Sequence, residues 1–254
     1  MIEHDTLCKP VEPGIRILLC TLGSVAADAD AVTDANLLSA DEQERAARFA
    51  LARDRWSYRA AHGLLRSLLT EFHQQPPLAW TFCHNAHGRP ELDPQWHGVN
   101  PPRFNISHTH DRVAVALTLD AVPPGVEVGV DVESMTRTAD ALGLARRFLS
   151  PREADWLHSL PADDQQSRFL CLWTLKEAVA KAVGLGLSLN LRHFHCTLEP
   201  LSVTFDDPRW GQPEEWALYN EWVAPGHWVS MAVRHPSDQP VKWEVRHDGH
   251  SVKQ

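Results

Sequence analysis

Apolar residues fall along the chain in two rhythms. Runs of strand length, alternating or continuously apolar, occur at GIRILLCTL (14–22), AWTFCH (79–84), RFNIS (103–107), RVAVALTL (112–119) and VEVGVDVE (126–133). More follow at HFHCTL (193–198), EEWALYNEWV (214–223), HWVSMAV (227–233) and VKWEVR (241–246). Helical stretches lie between them. SADE (39–42) reads as a capping box opening a helical region that runs to about Phe72, with a break near Arg53. SPRE (150–153) places Ser150, Pro151 and Glu153 where a second helix start needs them, and a longer helix over 163–183 stops at Gly184. The order of strand, helices and several strands occurs on both sides of about residue 121. It predicts an α+β fold made of a pseudo-twofold pair of similar α/β halves, 1–121 and 122–254. Each half carries helices on a small, mainly antiparallel sheet, and the two are tightly packed as one unit.

Inside this pattern two polar intrusions stand out. In GVDVE (129–133) the strand period puts Asp131 and Glu133 on one face and Val128, Val130 and Val132 on the other, so two acids look out together from a buried backing. In WTLKEAVAKAVGLG (173–186) the helical period makes Leu172, Leu175, Val179 and Ala182 an apolar stripe, with Glu177 and Lys181 one turn apart on the opposite side. Each has a bland reading: a solvated acidic pair at a strand end, and an exposed i,i+4 ion pair contributing about 0.2–0.5 kcal/mol. Together they admit a sharper one. Three carboxylates from a strand and a helix could converge on a hard divalent cation, with a lysine one turn beyond to face a substrate phosphate.

Composition limits the setting. The 254 residues are 43% hydrophobic, enough for a real core. A net charge of -9 argues against a broad electrostatic grip on nucleic acid, so an anionic ligand must be held locally. The start, MIEHDTLCKP, carries no basic-then-apolar leader and no apolar run is long enough to span a bilayer, which predicts a cytoplasmic protein. The five scattered cysteines fit neither a disulfide framework nor a CxxC zinc site and are expected to be reduced, mainly core thiols. Fifteen histidines, with pairs at His84/His87 and His108/His110, leave a histidine metal protein as one alternative. A non-catalytic carrier-protein binding module is another. No GxxxxGK[ST] phosphate loop supports a different phosphotransferase.

GVDVE together with WTLKEAVAKAVGLG resembles the signature of the 4′-phosphopantetheinyl transferases of the larger Sfp type. ERAARF (44–49), GRPEL (88–92), FNISHT (104–109) and RRFLS (146–150) extend the resemblance from about residue 44 to 187, in the expected order. The resemblance implies transfer of the phosphopantetheine arm from coenzyme A to a serine of an apo acyl or peptidyl carrier protein, releasing adenosine 3′,5′-bisphosphate. It implies Mg²⁺ held by Asp131, Glu133 and Glu177, with Glu177 as base for the serine and Lys181 on the leaving phosphate. It also implies coenzyme A contacts from Arg45, Arg89, Pro90, Ser107 and His108, a monomer, and an association with secondary metabolism. Two positions depart from the type: Arg89 stands for the usual lysine, and Glu42 stands where some relatives carry lysine. The segment RTADALGLARRFLS (137–150), with Arg137, Arg146, Arg147, Leu144 and Phe148, is the candidate carrier-docking surface.

Overall fold

The computed structural model describes residues 14–23, 35–98, 100–136, 140–185, 188–236, 239–248 and 250–252. Its strands are β1 (Ile15–Gly23), β2 (Phe82–His84), β3 (Pro90–Leu92), β4 (Phe104–His108), β5 (Arg112–Thr118), β6 (Glu127–Ser134), β7 (Phe194–Leu198), β8 (Leu201–Phe205), β9 (Trp216–Val223), β10 (His227–Arg234), β11 (Val241–His247) and β12 (His250–Val252). Its α-helices are α1 (Ala40–Ala47), α2 (Ala52–His73), α3 (Pro94–His97), α4 (Ala141–Phe148), α5 (Pro151–Ser159) and α6 (Ala162–Val183).

Four layers follow from where the apolar faces go. In β1 and β5 alternate residues point opposite ways. Leu18, Cys20, Val113, Val115 and Leu117 pack against Ala60, Ala61, Leu64 and Leu68 of α2. Ile17, Leu19, Ala114 and Ala116 meet Val128, Val130 and Val132 of β6 and Val229, Met231 and Val233 of β10. The far face of the second sheet, with Leu218 and Ala232, packs on Leu172, Leu175, Val179 and Ala182 of α6. The order is therefore α2, five-stranded sheet, three-stranded sheet, α6. The sheets run β12-β11-β1-β5-β4 and β6-β10-β9, beside two hairpins, β2-β3 and β7-β8.

The expected mixed α+β, mainly antiparallel architecture is present, and the helical region 40–73 breaks at 48–51. Ser39 and Ser150 both close capping boxes, with Glu42 and Glu153 respectively, and Gly184 ends α6 in the left-handed conformation (φ 81°). Two features differ from the sequence expectation. Sheet membership crosses the 121/122 division, because β11 pairs in parallel with β1 from Ile15↔Val241 to Thr21↔His247 and carries β12 with it. A strand's apolar pattern specifies its faces, not which edge it joins. Second, α6 is not a one-sided amphipathic helix, since Phe169, Cys171, Lys176 and Ala178 are buried along with the stripe.

Gly129 sets how closely α6 approaches β6. A Cβ there would lie 2.0 Å from the Ala178 carbonyl oxygen and 2.4 Å from the Ala182 amide nitrogen. The helix backbone rests directly on the strand. That contact holds the turn carrying Glu177 and Lys181 beside Asp131.

Candidate active site

The end strands β4 and β6 of the two packed sheets lie close together, and side chains tie this seam. Asn105 Oδ1 accepts from the Val130 amide at 2.9 Å, and Ser107 donates to Asp131 Oδ1 at 2.8 Å. Lys181 reaches the same point from α6. Its Nζ donates to Asp131 Oδ1 at 2.7 Å, Ser107 Oγ at 2.8 Å and the Val130 carbonyl at 3.0 Å. Strand, helix and neighbouring half thus converge on one carboxylate whose side chain is only 8% exposed. The other oxygen, Asp131 Oδ2, is buried with no hydrogen-bond partner. A buried carboxylate oxygen lacking a partner is unfavourable by itself and is the donor a cation would use.

Glu133, on the same face of β6, and Glu177, on the turn of α6 before Lys181, are both half-buried. Among the described residues no three His, Cys, Asp or Glu side chains close to metal-binding distance, these three included. Asp131 is instead drawn to Lys181.

His108 ends β4 with its ring exposed by area. Its pKa is nevertheless lowered, first by the desolvation of its crowded surroundings, then by the positive charge of Lys181 and of His62. Arg45 projects from α1 into a cavity of about 380 Å³ that Pro90, Tyr58, His62, Trp80 and His84 also line. Glu177 lines a separate groove of about 570 Å³ with Leu144, Phe148, Trp173, Leu189 and Leu191.

Arg89 and Ser107, two of the expected coenzyme contacts, are engaged by the protein's own groups. Arg89 Nη1 donates to Glu127 Oε2 at 2.9 Å and to the Lys181 and Ala182 carbonyls at 3.3 Å, while Nη2 donates to the Val128 carbonyl at 3.1 Å. Its guanidinium clamps β6 to the C-terminal end of α6, where unpaired carbonyls and the helix dipole favour a cation. The rigid fork that distinguishes arginine from lysine suits this set of acceptors. Ser107 faces Asp131 and Lys181 and lies within the seam. Arg137 lies outside the described residues.

Sequence reasoning missed His62, Asn105 and the ion pair of Lys176 with Glu153. The signal for His62 was present, because Tyr58, His62 and Arg66 recur every four residues on one face of α2. Cys20, Cys171 and Cys196 are buried, as expected for core thiols, and burial pushes each thiol up to about 12, so none is a nucleophile at neutral pH. Cys8 lies outside the described residues.

Residues 127–229 match the 4′-phosphopantetheinyl transferase superfamily, and residues 27–119 match the N-terminal region of 4′-phosphopantetheinyl transferases. The 4′-phosphopantetheinyl transferase HetI of Nostoc sp. is 33% identical over 205 residues, covering 79% of this chain and 83% of that protein. The chain belongs to the 4′-phosphopantetheinyl transferase superfamily. The 4′-phosphopantetheinyl transferase ffp of Bacillus subtilis is 31% identical over 202 residues, 79% of this chain and 84% of that one. The human L-aminoadipate-semialdehyde dehydrogenase-phosphopantetheinyl transferase is 27% identical over 211 residues, 77% of this chain and 67% of that one. The two matched regions cover both halves and include every residue of the seam. No helix among the described residues is long and apolar enough to cross a membrane.

Proposed function

We propose that this superfamily member transfers the 4′-phosphopantetheine arm of coenzyme A to a serine of an apo acyl or peptidyl carrier protein, in the cytoplasm and as a monomer. The observation that carries the reading is Asp131. It is a buried carboxylate with one oxygen on Lys181 and Ser107 and the other without a partner, at the seam where β4, β6 and α6 meet.

Asp131, Glu133 and Glu177 would supply the oxygen donors for Mg²⁺, a set such a hard cation prefers. When bound, the ion neutralises charge on the coenzyme pyrophosphate. The remaining work falls to the chain. The carrier serine oxygen attacks the pantetheine-side phosphorus, and the bond from that phosphorus to the bridging oxygen breaks. Glu177 takes the serine proton, and adenosine 3′,5′-bisphosphate leaves with its new phosphate charge facing Lys181. Lys181 is held in place by Ser107 and the Val130 carbonyl, so it need not be reorganised as charge develops. Arg45, Pro90 and His108 contact the coenzyme directly. Arg89 and Ser107 act from behind, through the end of α6 and through Asp131.

The carrier is assigned to the groove. Leu144 and Phe148 line it beside Glu177, while Arg146 and Arg147 on the same short helix are exposed, offering cations to an acidic partner at the rim of an apolar slot. The exposed charge is local, which answers the overall charge of -9.

The test is incubation with coenzyme A, Mg²⁺ and a panel of apo carriers, read by intact mass. Wild type is expected to add one phosphopantetheine to a carrier, and Asp131→Ala or Glu133→Ala, each shown to be folded, is expected to remove most transfer. Undiminished transfer by both variants at limiting Mg²⁺ would refute the site.

A further inference from the structure

A buried acid in the wall of the cavity assigned to coenzyme A has the wrong sign for a polyanion. Glu42, however, is fully engaged within the protein. Oε2 accepts from Arg66 Nε at 2.9 Å and from the Ser39 amide at 2.8 Å, and Oε1 accepts from His62 Nδ1 at 3.1 Å. Burial alone would raise this carboxyl; the hydrogen bonds from His62, Arg66 and Ser39 overcome it and hold the pKa at about 2. Arg66 is equally engaged, since Nη1 donates to the Pro77 and Trp80 carbonyls at 2.6 and 2.9 Å. Neither residue has charge left to present.

His62 does. With Nδ1 fixed by Glu42 and the ring lying against Tyr58 at 4.2 Å between centroids, its orientation is set on two sides. His62 lines the cavity, and among the described residues its Nε2 has no hydrogen-bond partner and is not sealed from solvent. Arg45 opens onto the same cavity with its guanidinium 5.7 Å from the centre of the Tyr58 ring. Arg45 and His62 thus flank one aromatic ring and face one space.

We infer that His62, oriented by Glu42, is a specificity-determining residue that donates with Arg45 to the 3′-phosphate of the nucleotide end of coenzyme A. Donation at both ring nitrogens, from Nδ1 to Glu42 and from Nε2 to the phosphate, is made by the imidazolium form. Glu42 acts through His62 and is a positioning residue. The inference rests on placing the nucleotide in this cavity.

Calorimetric titration of the full chain with adenosine 3′,5′-bisphosphate and with adenosine 5′-monophosphate tests it, because the two differ only in the phosphate at issue. His62→Gln is expected to weaken bisphosphate binding about tenfold or more while leaving the monophosphate within about twofold, as loss of one hydrogen bond to a charged group requires. His62→Arg is expected to restore most of the bisphosphate affinity, and Glu42→Gln to lose part of it. In transfer assays the coenzyme A KM rises in His62→Gln with kcat unchanged, and 3′-dephospho-coenzyme A shows no such rise. Equal losses for both nucleotides, or wild-type bisphosphate binding in a folded His62→Gln, would overturn the inference. A wild type that transfers the arm but does not prefer the bisphosphate sinks the His62 assignment alone. A wild type that modifies no carrier sinks the functional reading, and the nucleotide titrations still decide His62.

Discussion

The two halves build the same device and use it differently. In the first, Ser39 caps a short helix, its box partner Glu42 turns inward, and Arg66 on the following long helix meets it. In the second, Ser150 caps α5, Glu153 turns inward, and Lys176 on α6 meets it with Nζ at 2.8 and 2.7 Å from the two carboxylate oxygens. A histidine attends each acid: His62 on Glu42, and His195 at 3.6 Å from Glu153. Only the environments diverge. Lys176 and Glu153 are 0% and 1% exposed, and Glu153 also accepts from the Cys196 amide, so the ion pair itself is sealed, although Glu153 and His195 also border a cavity of about 400 Å³. Glu42 lies at a cavity wall, and its histidine faces that space. One capping motif serves as an internal brace in one half and as a mount for a ligand-facing side chain in the other.

The sharpest break of that comparison is at Lys176. Lys176→Met leaves Glu153 charged, buried and short of a partner, and is expected to cost about 3–5 kcal/mol in urea unfolding. Glu153→Leu combined with Lys176→Met should recover most of that loss, since an uncompensated charge costs more than an absent pair. A Lys176→Met cost below about 1 kcal/mol would mean the pair is not the brace described.

Acid probes the other copy. Glu42 has its pKa depressed from 4.5 to about 2, so its stabilisation is complete above about 4.5 and disappears as pH falls toward 2. By linkage that amounts to about 3 kcal/mol as an order of magnitude. Wild type should lose stability across that window more steeply than Glu42→Gln, and parallel curves would show that His62 and Arg66 do not hold the carboxylate.

Gly129→Ala tests how the brace reaches the chemistry. A methyl group aimed at the Ala178 carbonyl must push α6 off β6, at about 2–3 kcal/mol. Transfer should fall further than stability does, because Lys181 and Glu177 ride on the displaced turn. Full activity in this variant would show that the backbone contact does not set the site.

The smallest effect is expected at the groove. Arg146→Glu should raise the carrier KM a few-fold, leave the coenzyme A KM unchanged, and show a smaller defect at high salt, where the wild-type attraction is already screened. A carrier KM unchanged at every ionic strength would remove α4 from the interface.

Much of this was legible along the chain, because the signals were local. Apolar period 2 in VEVGVDVE fixed which face of β6 is buried, with Val128, Val130 and Val132 inside. The caps at Ser39, Ser150 and Gly184 marked helix ends through bonds spanning only a few residues. The motifs that resemble one family named Asp131, Glu133, Glu177 and Lys181, and the superfamily match covers them all. What the sequence could not determine were pairings between residues far apart in the chain. Arg89 and Lys176 are ordinary cations in sequence, and only packing turns one into a clamp on α6, 92 residues away along the chain, and the other into the buried partner of Glu153, 23 residues back. The same holds for β11, whose valines specify a strand while the free edge of β1 decides where it lies. Local backbone and side-chain preferences operate within a few residues and can be read in order; burial and charge partnership depend on which surfaces meet, and that was decided only when the four layers closed.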